Sequence, residues 1–125
     1  MGRVNRFICP SCKMTWQIQL GHGFRHARLE NVLDAFPADI QEKILADTKG
    51  EAFPSFEFQY KAAICPKCRQ VLSVPVIHLH QSGNTYAPAC PDCGISVQIK
   101  EEEETLICPV CGESPLFSED AGRWD

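Results

Sequence analysis

The sequence has no long apolar run of the kind found in membrane proteins, and we expect no secretory leader. No stretch approaches the roughly 18 consecutive apolar residues that a membrane span requires. The N-terminus has no apolar segment of the signal-peptide kind and leads directly into the cysteine motif CPSC. We therefore expect a soluble, cytoplasmic protein whose thiols stay reduced, rather than a secreted protein held by disulfides.

Catalytic patterns and a large core are missing as well. No Ser/His/Asp order, phosphate-binding loop or isolated carboxylate pair stands out, so we expect a protein that is not an enzyme. Aromatic residues make up only 9% of the 125 residues, a length that suits one ordinary domain or two very small ones. Below about 70 residues a hydrophobic core alone is marginal, and a structural metal commonly supplies the missing stability.

Cysteine, in contrast, is abundant, and every cysteine belongs to a pair with the same spacing. The eight cysteines form four Cys-Pro-x-Cys turns: Cys9 and Cys12, Cys65 and Cys68, Cys90 and Cys93, and Cys108 and Cys111. Two such turns at the ends of paired strands bring four thiolates to the corners of one tetrahedron, which is the pattern of a zinc ribbon. The sequence therefore predicts two structural Zn²⁺ sites with all eight cysteines as ligands.

The assignment of turns to metals follows from a likeness between the two halves. CPSCKMTWQIQL aligns without gaps on CPDCGISVQIK, and AICPKC resembles LICPVC, which indicates an internal duplication. The preferred assignment puts Cys9, Cys12, Cys65 and Cys68 on one metal, and Cys90, Cys93, Cys108 and Cys111 on the other. A crossed arrangement, in which the middle two turns share one ion across 21 residues, stays open.

Hydrophobic periodicity adds helices to this mainly β pattern. Alternation predicts strands at 3–8 and 15–20, whereas apolar residues at intervals of three and four predict a helical insertion at about 28–50 that Pro37 divides. The predicted fold class is small, metal-bound and mainly β with a helical insertion, built as two tandem zinc ribbons. The predicted domains are residues 1–80, which contain the insertion, and the short ribbon 81–125.

The segment after the insertion is rich in aromatic residues. Phe56, Phe58 and Tyr60 share one face of a predicted strand at 56–64, and we interpret them as the core that the helices cover. An exposed stacking platform is the alternative. Strands at 71–80 and 85–89 are predicted to form a hairpin, with Pro75 on an edge.

Zinc is the expected metal because it favours closed four-thiolate sites and needs no redox role. Iron is possible at the second site, since CPVCGESPLF is similar to the end of a rubredoxin-type domain, and iron-based electron transfer is an alternative function. CPSC and CPKC also resemble glutaredoxin active sites. Redox catalysis, however, needs a low-pKa thiol at a helix N-terminus, and every pair here lies between predicted strands.

Charge and histidine patterns give weaker predictions. Two four-thiolate zinc sites would bring the formal charge of −4 to about −8, which disfavours nucleic acid as the main partner. A basic N-terminal segment keeps that alternative open through Arg3, Arg6, Arg25 and Arg28. The acidic turn 101–104 resembles the ribbon tips of cleavage-stimulating transcription factors, but a solvated turn is the preferred interpretation. The pairs His22/His26 and His78/His80 are interpreted as polar surface.

The CPxC turns, the insert DAFPADIQEKILADTKG, CPKC and VLSVPVIHLH together resemble the bacterial CpXC domain over about residues 5–85. That resemblance implies zinc bound by the four cysteines of turns 9–12 and 65–68, and it implies no activity. Glycine follows the second cysteine at positions 94 and 112, whereas Lys13 and Arg69 stand there in the other two turns. We expect an interaction module that binds a protein partner through the helical insertion and the aromatic strand.

Overall fold

The computed structural model describes residues 2–23, 26, 28–101 and 104–124. Within these residues the elements are β1 (Gly2–Ile8), β2 (Thr15–Leu20), α1 (Leu29–Leu33), α2 (Ala38–Asp47), β3 (Phe56–Cys65), β4 (Gln70–Leu79), β5 (Thr85–Tyr86), β6 (Gln98–Lys100) and β7 (Phe117–Trp124). This is the predicted small, mainly β fold with a helical insertion. No helix in the described part of the chain is long and apolar enough to cross a membrane.

The strands form two antiparallel sheets, with the order β2-β1-β7 in the first and β5-β4-β3-β6 in the second. Hairpins β1–β2 and β3–β4 are the centres of these sheets, and each hairpin reverses at a CPxC turn. The C-terminal third of the chain then adds β5 and β6 to the second sheet and β7 to the first. β6 joins β3, with Ile64 opposite Gln98, and β7 joins β1, with Ile8 opposite Phe117.

The two sheets are joined where β2 ends. Gly21 and Tyr60 exchange two backbone hydrogen bonds, with N–O distances of 2.9 and 2.6 Å. Trp124 adds a contact between the sheets, because its ring centroid lies 5.5 Å from that of Tyr60. Within the first sheet its Nε1 donates to the carbonyl oxygens of Arg3 and Leu20 at 3.0 Å each. Between the sheets lies one core cluster, made of Phe7, Ile18, Leu20, Ala62, Ile64, Val71 and Leu106.

The helices cover the aromatic strand, as predicted. Pro37 is the N-cap of α2, which confirms that it separates the two helices, and Gly50 has a φ of +90° just beyond the second. Phe58 is only 7% exposed, and Phe56 and Tyr60 pack beside it. The remaining buried members of this second cluster are Val32, Phe36, Ile44, Ile77 and Leu79. Phe56, Phe58 and Tyr60 therefore belong to a core and do not form an exposed stacking platform.

Pro75 lies at an edge, as its missing N–H requires. It stands opposite Tyr60 in the β3–β4 pair, and Tyr60 directs its own N–H and C=O to Gly21, away from β4. In an antiparallel ladder both members of such a pair turn their polar groups outward. The position of Pro75 therefore costs no hydrogen bond to β3. β5 pairs only with Ile77 and His78, so it does not reach Pro75.

Strands from the two predicted domains share both sheets. β1, from residues 1–80, pairs with β7, and β3 pairs with β6, so each sheet contains a strand from residues 81–125. The predicted boundary near residue 80 therefore separates two segments whose strands pair with each other in both sheets. The division into domains 1–80 and 81–125 stays a prediction about which segments fold independently.

Candidate metal centres

The eight cysteines meet in two groups, and the grouping differs from the preferred assignment. The outer centre consists of Cys9, Cys12, Cys108 and Cys111. The inner centre consists of Cys65, Cys68, Cys90 and Cys93. The assignment drawn from the internal likeness is wrong, and the crossed alternative, in which the middle two turns share a site, describes the structure.

Strand pairing explains the correction. Turns 9–12 and 65–68 are each the tip of a hairpin, so the strand that leaves each turn runs back along the strand that enters it. β2 therefore leads away from the first turn and cannot carry a second pair of thiols to it. β6 lies beside the cysteine end of β3 and brings turn 90–93 to turn 65–68, while β7 lies beside β1 and brings turn 108–111 to turn 9–12.

The sulfur positions fit tetrahedral four-thiolate coordination. Sγ–Sγ distances between turns of the outer centre are 3.7 Å for Cys9 and Cys111 and 3.5 Å for Cys12 and Cys108. In the inner centre the distances are 3.5 Å for Cys65 and Cys93 and 3.8 Å for Cys68 and Cys90. A tetrahedron with metal–sulfur bonds of about 2.3 Å has edges of about 3.8 Å. Each group therefore has the dimensions of a closed site for one ion.

All four turns have the same backbone conformation. In each, the carbonyl of the first cysteine accepts a hydrogen bond from the residue four positions later, at N–O distances of 2.8 to 3.0 Å. That fourth residue has a positive φ in every turn: Lys13 at 67°, Arg69 at 54°, Gly94 at 76° and Gly112 at 71°. The turns without glycine therefore adopt the shape of the turns with glycine, although a side chain is strained there.

Backbone donors approach the buried thiols. The first cysteine of each turn is buried and the second is half-buried. The N–H of Cys12 donates to Cys9 Sγ at 3.4 Å, and the N–H of Cys68 donates to Cys65 Sγ at 3.3 Å. These hydrogen bonds favour the thiolate, and they lower the pKa of Cys9 to about 6 and that of Cys65 to about 7.

Other thiols in the same centres hold their protons more tightly. Hydrogen bonding with the Cys93 side chain, together with burial, raises the pKa of Cys68 to about 12. Burial raises the pKa of Cys108 to about 11. Four adjacent thiolates repel one another, so a bound dication is the natural means of deprotonating them together. The donor set and the spacing suit zinc or iron in four thiolates.

Polar side chains link the turns within each centre, and the sequence analysis did not identify them. The hydroxyls of Ser11 and Ser114 form a hydrogen bond in the outer centre. In the inner centre Gln70 Nε2 donates to Asp92 Oδ2 at 2.8 Å. Ser11 and Asp92 each occupy the variable position of a CPxC motif. That position is the sequence feature from which they could have been identified. Their partners lie far away along the chain, so the correct pairing of turns was needed to find them.

The predicted basic segment is largely paired with acidic residues. Arg6 Nη1 lies 2.5 Å from Glu119 Oε1, and Arg28 Nη1 lies 3.4 Å from Glu30 Oε1. Arg3 lines a cleft of about 550 Å³ between the sheets. Arg25 lies outside the described residues. The two ion pairs reduce the positive charge that this segment offers to a polyanion.

The described residues of the acidic turn 101–104 also form ion pairs. Lys61 Nζ donates to both carboxylate oxygens of Glu101, at 2.9 and 3.0 Å, and Lys100 lies 3.9 Å from Glu104. Glu102 and Glu103 lie outside the described residues. The described acids of this turn therefore neutralise neighbouring lysines, in agreement with a structural role in the turn.

The histidines have different environments from one another. His22 is exposed, whereas His26 is buried, with its ring centroid 4.5 Å from that of Phe58 and its Nδ1 accepting the N–H of Gly23 at 2.9 Å. The interpretation of His26 as polar surface is wrong, because its side chain is buried against the aromatic core. His78 and His80 lie side by side on the second sheet, away from both cysteine centres.

Comparison of the chain with protein-family models, with curated proteins and with solved structures finds no match. The resemblance to the CpXC domain stays a prediction. The function is therefore argued from the two centres and from the surface that they support.

Proposed function

We propose that this protein is a metal-stabilised interaction module in which two structural zinc sites hold a small β scaffold and the helical insertion binds a partner protein. The two four-cysteine groups support the structural part of the proposal, since each is arranged to hold one ion through four thiolates with no open coordination position. In this proposal each centre is a zinc ribbon assembled from two distant turns. The CpXC resemblance implies one zinc shared by turns 9–12 and 65–68, and since those turns lie in different centres it does not carry the proposal.

The observation that carries the interaction role is a groove on the helical insertion. It has a volume of about 770 Å³ and lies between α1, the end of α2 and the segment 51–56. Its apolar lining consists of Leu29, Leu33, Leu45, Phe53, Pro54 and Phe56. Phe53 is 96% exposed and Leu45 is 51% exposed, although both are large apolar side chains.

A protein segment is the occupant that this groove suits best. Exposed aromatic residues beside an apolar groove supply the buried centre of protein–protein interfaces, where a few anchors carry most of the binding energy. The rim carries both signs of charge, from Arg28 and Lys49 on one hand and from Glu30 and Glu51 on the other. A mixed rim of this kind matches the polar border of a protein interface and does not select a polyanion.

Site-specific photo-crosslinking in cells tests the proposal. A photoreactive residue at position 53 should give one discrete crosslinked protein, because this side chain would be buried by the partner. The same residue at position 117 is the matched control, since Phe117 is also apolar and 66% exposed but lies on β7. The partner is identified by mass spectrometry, and its affinity for the zinc-loaded protein is then measured with purified components.

Leu45→Glu provides the deciding variant because it places a charge in the groove at an exposed position. We expect it to weaken binding of the purified partner at least tenfold while leaving two zinc ions per chain. Crosslinks of equal yield from positions 53 and 117, or unchanged affinity in Leu45→Glu, would contradict the proposed docking surface. The nucleic-acid alternative predicts instead a steep fall in affinity with salt.

A further inference from the structure

We propose that His78, His80 and Glu57 form a third metal site, separate from both cysteine centres, that binds a divalent transition metal such as Zn²⁺. The three side chains lie on the second sheet, on the face opposite the helices. Glu57 stands directly opposite His78 in the β3–β4 register, and His80 follows two residues later on the same face.

The two imidazoles lie at nearly the separation that one shared ion requires. Their ring centroids are 5.8 Å apart and their planes are inclined by 60°. Two imidazoles bound through Nε2 to a tetrahedral ion, with bonds of about 2.0 Å, have centroids about 5 Å apart. His78 is half-buried and His80 is exposed, and binding one ion through both Nε2 atoms requires the two side chains to rotate towards each other.

Neighbouring hydroxyls hold both rings in the orientation that leaves Nε2 available. The Nδ1 of His78 lies 2.8 Å from the Thr85 hydroxyl, and the Nδ1 of His80 lies 2.8 Å from the Ser55 hydroxyl. When Nε2 binds a metal, Nδ1 carries the proton and needs an acceptor, which a hydroxyl oxygen provides. Histidines that bind metal are typically oriented by such an outer hydrogen bond.

Glu57 provides a carboxylate next to one of the two imidazoles. Its Oε1 lies 3.6 Å from Nε2 of His80. Two ligand atoms of one tetrahedral ion are about 3.4 Å apart when the bonds are about 2.1 Å long. Both side chains remain accessible, at 42% for His80 and 73% for Glu57, so an ion can enter without unfolding the sheet.

The donor set defines the class of ion and its relative affinity. Two neutral imidazoles and one carboxylate suit zinc, copper or nickel better than calcium or magnesium. With three protein ligands the ion keeps a position for water, unlike the closed cysteine centres. We expect binding weaker than at the thiolate sites.

Equilibrium dialysis with Zn²⁺ at pH 7.5 tests this site on protein whose two cysteine centres are already loaded. The wild-type chain should bind a third zinc ion. His78→Gln and His80→Gln should each weaken that third ion at least tenfold, and Glu57→Gln should weaken it several-fold. His22→Gln is the matched control, because His22 is an exposed histidine that is not one of the three proposed ligands, and it should leave the third ion unchanged.

NMR of the histidine rings provides a second measurement. The Nε2 resonances of His78 and His80 should shift together when the third ion binds, and that of His22 should not. A wild-type stoichiometry that stays at two zinc ions in millimolar Zn²⁺ would overturn the proposal. Equal affinities in His78→Gln and His22→Gln would also overturn it. Retention of two zinc ions by each variant shows that the fold is intact.

Discussion

The outer and inner centres are built from the same kind of turn, but the cysteines that they bring together are separated by very different numbers of residues in the sequence. In the inner centre Cys68 and Cys90 are 22 positions apart, whereas Cys12 and Cys108 of the outer centre are 96 positions apart. The inner centre therefore ties neighbouring segments of the second sheet together. The outer centre ties the first hairpin to the C-terminal third of the chain.

This difference indicates an order of assembly. Closing the longer loop costs about 1 kcal/mol more in chain entropy than closing the shorter one, because the cost grows with the logarithm of loop length. The inner centre also lies at the end of the β3–β4 hairpin, whose strands pair along their whole length. We expect the inner centre to form first and the outer centre to close last.

The largest expected effect tests the grouping of the cysteines. Cys9→Ser with Cys108→Ser removes two ligands from the outer centre only, so one four-thiolate site should remain. Cys9→Ser with Cys65→Ser damages both centres, so no four-thiolate site should remain. A structural zinc site contributes about 10–16 kcal/mol in small peptides, which makes the two outcomes easy to distinguish.

Cobalt substitution measures this result, since the visible spectrum of Co²⁺ reports the number of thiolate ligands. The grouping would be contradicted if Cys9→Ser with Cys65→Ser retained a full four-thiolate spectrum while Cys9→Ser with Cys108→Ser lost it. That reversal is what the sequence-based assignment predicts.

Removal of zinc should separate the two centres in time. We expect a chelator to extract zinc in two phases, with the outer ion released first and held about tenfold less tightly, in line with the difference in loop-closure entropy. A colorimetric chelator gives the phases directly. Cys108→Ser should abolish the fast phase and leave the slow one, and loss of the slow phase instead would reverse the proposed order.

Substitutions at the left-handed position of the turns should have matched effects in the two centres, because each centre has one glycine and one cationic residue there. Gly94→Ala and Gly112→Ala should each destabilise the zinc-bound protein by about 1 kcal/mol, since φ is positive at both positions. Lys13→Gly and Arg69→Gly should stabilise it by a similar amount. Denaturant unfolding at constant zinc measures each change.

Lys13→Ala and Arg69→Ala are the controls for this series. They remove the positive charge but keep a side chain at a positive φ, so they should not stabilise the protein. Equal stabilisation by alanine and glycine would show that charge, rather than backbone strain, governs these positions.

The smallest effect concerns the helical insertion, which is anchored to the sheet of the inner centre. Asp47 at the end of α2 accepts hydrogen bonds from Asn84 and Tyr86 at 2.7 Å each and from Ser82 at 3.1 Å. The bond from Asn84, followed by that from Tyr86, lowers the pKa of Asp47, and Asp47 in turn raises the pKa of Tyr86.

A phenol with a raised pKa in the folded protein contributes stability that is fully present below its unfolded value, about pH 10, and is lost as the pH rises through the folded value. Asp47→Asn should therefore lower the pKa of Tyr86 towards 10 and reduce the loss of stability above that pH. Ultraviolet titration of the phenolate measures this shift. An unchanged titration of Tyr86 in Asp47→Asn would contradict the contact.

Much of the site was predictable because its rules are local. The spacing C-x₂-C fixes a turn within five residues, so the eight cysteines that form the two groups followed from short motifs. The helical insertion and the buried aromatic strand followed from periodicity, since an amphipathic helix and a strand repeat their apolar residues at different intervals.

The grouping of the turns was not predictable from those rules. Four turns of one type are interchangeable as metal ligands, and the likeness between the halves favoured pairing neighbours in each half. The strands with which β6 and β7 pair depend instead on the open edges of the β1–β2 and β3–β4 hairpins. Those edges exist only after the two hairpins have formed. Residues such as Ser11 and Gln70 acquire their roles only from that pairing.

The sequence by itself determined the eight cysteines, the turns that contain them and the helical insertion, because those features depend on contacts within a few residues. Only the tertiary structure decided which turns meet in one cysteine group, where Phe53 and Leu45 remain exposed and how His80 meets Glu57. Each of those features depends on strands or loops that are distant in sequence, and their meeting is set by backbone pairing and by burial of the common core.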